Sequence, residues 1–241
     1  MIKKHHKLKE HAKMNLNHRL DLIRLFYTGG MILILMVTSV PLFGEDIKGI
    51  QRNQGRRWNQ RQIISSGALT PLDKSMLKIT KKAAQECTRA LETAIDKGIK
   101  TEKEIFCPLY FPVMPLTSPR KFVTFYDDYT DTVITPIEDR YLKGNANLVY
   151  VTLVDRNGYA PSHNAKYSQT ISGDSERDFQ YSRSKRIFND IAGYLSGRNQ
   201  ESFLLQIYFR DTGERVADLS VPVWVKGRHW GSLRVGYLIG R

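Results

Sequence analysis

Arg215-Val216-Ala217-Asp218-Leu219-Ser220-Val221-Pro222-Val223-Trp224-Val225-Lys226-Gly227-Arg228-His229-Trp230-Gly231-Ser232-Leu233-Arg234-Val235-Gly236-Tyr237-Leu238-Ile239 reads as two strands folded back on each other, with Lys226-Gly227 as the turn. Side chains alternate across a strand with period two. Ala217, Leu219, Val221, Val223 and Val225 therefore share one face, and Val216, Asp218, Ser220 and Trp224 the other. In the second strand Leu233, Val235, Tyr237 and Ile239 alternate with Ser232, Arg234 and Leu238. One face is apolar and needs a cover. The other mixes aromatic bodies with Asp218, Ser220 and Arg234, and has hydrogen bonds to offer either to solvent and cross-strand partners or to a bound molecule. Upstream, Phe203 to Arg210 leads in through Asp211-Thr212-Gly213, which makes the three strands an antiparallel meander.

Further upstream, Leu148 to Asp155 is β-branched and aromatic, and Asn157-Gly158 predicts a hairpin into a strand at Tyr159. Ser184 to Leu195 reads as a helix between that hairpin and the meander. Thr70-Pro71-Leu72-Asp73 is a helix start, with Thr70 as N-cap and Pro71 at the first helical position. Met76, Ile79, Ala83, Cys87, Ala90 and Ala94 follow at helical spacing, widened by Leu91 and Ile95, and Gly98 stops the run. From 99 to 121 the prolines 108, 112, 115 and 119 predict a covering loop. Asp127-Asp128-Tyr129-Thr130 opens a second helix, with a kink expected at Pro136 and an end at Gly144. The order is helix, helix, β, β, helix, β, β, β. It predicts an α+β domain over 71–241, a five-stranded antiparallel sheet with the long helix 71–97 on its apolar face.

The chain of 241 residues has 37 Lys+Arg against 24 Asp+Glu, a net charge of +13. Residues 1–44 hold seven basic and two acidic side chains, and residues 45–76 six and three, so most of the excess lies outside the predicted domain. After the basic tail 1–24, residues 25–44 are uncharged and densest in apolar side chains from Met31 to Val37. They fit a signal peptide cleaved after Gly44, or a single membrane anchor with the tail left inside. Either places the domain outside the cytoplasm, in the periplasm or tethered to the inner membrane, behind a polar linker at 45–70. The composition excludes a disordered polymer and a polytopic membrane protein. Two cysteines exclude a Cys-rich zinc site. No Gly-x-Ser-x-Gly, His-Glu-x-x-His or phosphate loop is present, so no enzyme is predicted. The charge is not interleaved with a recognition motif, so no nucleic-acid partner is predicted either.

Several blocks in order carry a family resemblance: Asp155-Arg156-Asn157-Gly158-Tyr159, His163-Asn164, Ser184-Lys185-Arg186-Ile187-Phe188-Asn189-Asp190, Asp218-Leu219-Ser220-Val221-Pro222, Gly227-Arg228-His229-Trp230-Gly231 and Arg234-Val235-Gly236-Tyr237. Over roughly 120–240 the chain resembles the extracytoplasmic PAS-like/Cache-like sensory domain of bacterial methyl-accepting chemotaxis proteins. The resemblance implies ligand sensing, with a pocket between the sheet and the loops and helix after the second strand. It also implies association through the long helix, here a homodimer through 71–97. Haem-carrying relatives attach the cofactor through Cys-x-x-Cys-His, which is absent here, so no cofactor is expected. The expectation is a stand-alone module without a transducer output region, working through a separate transducer protein.

A ligand such as an amino acid or carboxylate needs a fixed cation, an acceptor for its amine and aromatic walls. Arg183, Lys185 and Arg186, at the start of the predicted helix 184–195, suit a carboxylate, although Lys185 can equally be solvated and Arg186 can pair with Asp190. Asp218 suits an ammonium, or pairs with Arg234. Tyr159, Tyr208 and Trp224 can wall a pocket or simply pack. His163 and His229 are the only histidines outside the tail, and without a carboxylate set they make a weak metal pair. Cys87 and Cys107 are within reach of a disulfide that would staple the covering loop to the first helix. The competing function is a structural or protein-interaction module of the same fold without a ligand.

Overall fold

The N-terminal helix α1, Pro71–Asp96, starts as its sequence dictates. The Thr70 hydroxyl accepts from the Asp73 N–H at 3.1 Å, and the Asp73 carboxylate accepts from the Thr70 N–H at 2.9 Å, a closed capping box. Asp73 also accepts from the Tyr237 hydroxyl at 2.5 Å, which ties the helix start to the last strand of the sheet. Burial works against its charge, but the hydrogen bonds from Tyr237 and Thr70 outweigh it and hold this carboxyl below its usual range. The computed structural model describes residues 62–64, 69–209 and 215–239; the tail 1–24, the run 25–44 and most of the linker 45–70 lie outside the described residues. No helix among the described residues is long and apolar enough to cross a membrane.

After α1 come α2 (Glu102–Ile105), a small ribbon of β2 (Phe111–Pro112) with β3 (Phe122–Val123), and the second helical stretch. That stretch runs as α3 (Asp127–Tyr129), a π-helical turn (Thr130–Ile134) and α4 (Thr135–Lys143). The irregularity expected at Pro136 thus takes the form of a π turn just before it, where the missing N–H is accommodated.

The main sheet is antiparallel in the order β1 (Gln62–Ile64), β7 (Leu204–Phe209), β8 (Arg215–Val225), β9 (Arg228–Leu238), β4 (Leu148–Asp155). Four of the five expected strands lie in it. The fifth does not: β5 (Tyr159–Ala160) pairs with β6 (Arg186–Ile187) in a separate ribbon, and the far edge is taken by Gln62–Ile64 from the stretch read as linker. The turn explains this. Asp155 Oδ1 accepts from the N–H groups of Asn157 and Tyr159 at 2.8 and 2.9 Å, and Gly158 sits at φ +78°, so the chain folds away from β4. The free edge of β4 is covered by side chains instead. Asn164 Oδ1 accepts from Val151 N–H at 2.8 Å and Glu138 Oε1 from Leu153 N–H at 2.7 Å.

The expected helix 184–195 is also corrected. Lys185 is left-handed at φ +64°, β6 follows, and a helix α6 begins only at Ile191 and runs to Arg198. Asp190 sets its start by accepting from Gly193 N–H at 2.9 Å. A helix the sequence reading lacked, α5 (Ser175–Tyr181), is capped by Asp174.

The core lies between α1 and the apolar sheet face. Ala217, Leu219, Val223, Val225, Leu233, Val235 and Tyr237 are fully buried there, against Met76, Ala83, Cys87, Leu91 and Ala94 of α1. The alanines let the helix backbone come close. Each fully buried Leu or Val contributes about 1.5–3 kcal/mol.

Candidate functional site

On the opposite face, Asp218 stands directly between Gln206 of β7 and Gly236 of β9, and Arg234 between Ser220 of β8 and Thr152 of β4. Asp218 is fully buried. Its Oδ2 accepts from the Tyr150 hydroxyl at 2.7 Å, from the Tyr208 hydroxyl at 3.4 Å, and from Arg234 through Nε at 3.1 Å and Nη2. The two phenol oxygens are 3.1 Å apart. Tyr150 stands two strands away and reaches Asp218 by crossing Gly236. A Cβ on Gly236 would lie 2.1 Å from Tyr150 Cε1, so only glycine leaves the ring this path.

Burial, then the Asp218 charge, pushes the Tyr208 phenol up to about 12, and the same causes lift Tyr150 well above its usual range. Both remain hydrogen-bond donors at any physiological pH. Burial opposes the Arg234 charge, but Asp218 holds the guanidinium protonated. The cluster is a buried ion pair with no net charge and two phenolic donors on one carboxylate oxygen.

α6 roofs this face. Gln206 Nε2 donates to Ala192 carbonyl at 3.1 Å and to Ser196 Oγ at 2.9 Å. His163 is buried beside it, its Nδ1 accepting from Asn164 N–H at 2.8 Å and its ring edge-on to Tyr150 and Tyr167. Three buried polar atoms of the face have no partner among the described residues: Gln206 Oε1, Ser220 Oγ and Ser232 Oγ. Such atoms are the hydrogen-bonding capacity that waters or a ligand would satisfy.

The structure thus gathers four of the predicted site residues, His163, Tyr208, Asp218 and Arg234, and places Tyr159, Arg183, Arg186 and Trp224 elsewhere. Tyr159 lies in the core on the other side of the sheet, donating to Asp127 Oδ2 at 2.7 Å and packed with Tyr110 and Tyr126. Trp224 is 41% exposed at the end of β8, against His229. Arg183 sits over the Phe188 ring, and Arg186 over the rings of Phe179 and Phe188 with Nη1 donating to the Phe179 carbonyl. Neither arginine sits in the first turn of a helix, since α6 begins only at Ile191, so the argument from a helix starting at 184 falls away. Lys185 is half-buried rather than solvated, donating to Asp131 Oδ1 at 2.8 Å and to the Pro161 carbonyl at 2.5 Å.

Cys87 and Cys107 are free thiols, which corrects the expected disulfide. Cys87 faces the core from mid-helix. Cys107 is half-buried beyond α2 and lines a water-sized cavity of about 10 Å³ with Tyr110, Tyr126, Asp155 and Trp230. An open groove of about 500 Å³ lies between Ser118-Pro119 and α5. Neither space is lined by Asp218 or Arg234. Among the described residues no group of three or more His, Cys, Asp or Glu is placed to hold a metal.

Tyr150 and Gln206 were missed from sequence. The signal was present: alternation in Leu148 to Asp155 puts Tyr150 on the face of Thr152, and Gly236 stands opposite it. Glu138 was missed too. It is fully buried, accepts from Leu153 N–H and from Ser162 Oγ at 3.1 Å, and burial pushes its carboxyl up to about 8.

No family model and no curated protein matches the chain. Similar solved structures include an extracellular ligand binding receptor from Desulfohalobium retbaense DSM5692, at 14% identity and TM-score 0.33, covering 70% of this chain and 26% of that one. The ligand-binding domain of the Campylobacter jejuni chemoreceptor Tlp3 in complex with L-valine is similar at 15% identity and TM-score 0.35, covering 71% and 65%. The sensory domain of the same chemoreceptor with isoleucine bound is similar at 16% identity and TM-score 0.33, covering 71% and 64%. The chain spans less than two thirds of the length of each of these. The structures to which this chain is similar are receptor ligand-binding and chemoreceptor sensory domains.

Proposed function

We propose that the chain is an extracytoplasmic ligand-sensing module, binding a small zwitterion or carboxylate such as an amino acid on the polar face of its sheet and passing the signal to a separate partner. One observation carries this reading: a set of recognition groups, with Asp218, Arg234 and Tyr150 buried and Tyr208 half-buried, lies beside three polar atoms unpaired among the described residues, where an apolar layer would be cheaper. A ligand's ammonium would take over Asp218, and its carboxylate would take over Arg234. The homodimer through 71–97 is not part of the proposal, because it would set the exposed lysines of two copies of α1 against each other.

The test is a thermal shift of the full chain against amino acids, with L-valine and L-isoleucine among them, and organic acids. A hundredfold excess over Kd adds about 2.7 kcal/mol, which at this size is a rise of roughly 5–10 °C. Asp218→Asn should abolish it. If no compound moves the midpoint, ligand sensing is the wrong reading.

The alternative is an interaction module without a ligand. It is favoured by the saturation of Asp218 Oδ2, which already accepts from Tyr150, Tyr208 and Arg234.

A further inference from the structure

We propose that the outer face of α1 docks on the phosphate headgroups of an anionic lipid bilayer. Lys74, Lys78, Lys81, Lys82 and Arg89 are all exposed on this helix. At about 100° and 1.5 Å per residue they fall within an arc of about 100° and along about 22 Å. None of the five side chains has a hydrogen-bond or ion-pair partner among the described residues. The acidic side chains of α1 are all occupied: Asp73 by Thr70 and Tyr237, Glu86 by Arg140 and Tyr141, Glu92 by the Lys226 N–H, and Asp96 by Lys226 Nζ. Asp73 and Glu92 meet only neutral donors and keep their charge, and Glu86 and Asp96 pair with Arg140 and Lys226, so no carboxylate of α1 forms an ion pair with a member of the row among the described residues.

The chemistry of the row selects the partner. None of the large exposed apolar side chains of the described residues lies on α1. A protein interface needs such an anchor at its centre and is depleted of lysine, and single-stranded nucleic acid needs aromatic platforms. Four flexible lysine point charges in a line suit a diffuse plane of phosphates. The sequence before the helix continues the pattern, with Arg52, Arg56, Arg57 and Arg61 following an uncharged run of membrane-compatible composition at 25–44. The inference is independent of the Asp218 cluster.

The full chain is mixed with phosphatidylcholine vesicles, or with vesicles in which about a third of the lipid is phosphatidylglycerol, and its lysines are pulse-labelled with an acylating reagent. Lys103 and Lys143, exposed elsewhere, serve as references. Labelling at Lys74, Lys78, Lys81 and Lys82 should fall several-fold on the anionic vesicles only. It should return in high salt, as the screening length shrinks from about 10 to about 3 Å. Lys78→Glu with Lys81→Glu should weaken the protection of Lys74 and Lys82. Equal labelling on both vesicle types overturns the proposal, as does equal protection of Lys103 and Lys143. Protection by a soluble acidic polypeptide but not by vesicles also overturns it, in favour of an acidic protein partner.

Discussion

Leu219 and Asp218 are neighbours on β8 and both are fully buried, yet they are held by opposite means. Leu219 faces α1 among other aliphatic groups, and each of those contributes its own transfer and dispersion energy. Asp218 faces the other way, into a set of donors whose positions depend on one another: Arg234 needs its charge, Tyr150 needs its acceptor and the gap at Gly236, and Gln206 holds the roof. One face gives way in proportion to what is removed. The other gives way as a network.

The largest expected effect separates them. Asp218→Ala leaves the Arg234 guanidinium buried without a counter-charge, at a cost of about 3–5 kcal/mol in urea unfolding. Leu219→Ala costs about 2–5 kcal/mol by transfer and cavity formation. The distinguishing measurement is the repair. Asp218→Leu combined with Arg234→Met should recover most of the loss on the polar face, whereas no second substitution at a charged site repairs Leu219→Ala. A double variant no more stable than Asp218→Ala would show that Arg234 does not depend on Asp218.

Gly236→Ala should cost about 1–3 kcal/mol, because its new Cβ would meet the Tyr150 ring at 2.1 Å. The cost belongs to the ring rather than to β9. In a Tyr150→Ala background the same substitution should be nearly neutral, and additive costs in this double-mutant cycle would remove Gly236 from the account of the cluster.

The same contrast governs what the sequence revealed. Period-two alternation and a capping box specify the apolar face and α1, because burial there asks only for hydrophobic groups at the right spacing. Asp218 and Arg234 were visible as inward candidates on the other face. Tyr150 was not, since its reach depends on which strand lies beside β9, a non-local pairing between residues far apart in the chain. The ribbon of Tyr159–Ala160 with Arg186–Ile187 was illegible for a related reason. Asn157-Gly158 does turn the chain, but Asp155 bonding both Asn157 and Tyr159 decides where it goes. Arg186 was misplaced because Ser184 to Leu195 has helical composition, while the actual start is fixed by Asp190.

The smallest effect, taken per pH unit, concerns the edge of β4. Glu138 accepts from Leu153 N–H, and burial raises its carboxyl from an ordinary 4.5 to about 8. Between those values the folded chain holds one proton more than the unfolded chain. The stability it contributes is therefore full below 4.5 and declines as pH rises toward 8, by up to about 1.4 kcal/mol per pH unit. Asp127 and Asp155, also raised by burial, slope the same way, and Asp73, held low, slopes the other, so only a difference isolates this group. Glu138→Gln keeps an oxygen for Leu153 N–H and does not titrate. Urea unfolding through the neutral range should show the wild type losing about 1 kcal/mol per pH unit relative to the variant. A constant gap between the two would mean that Glu138 is already ionised in the fold, and that a charged carboxylate, rather than a neutral acid, closes this edge.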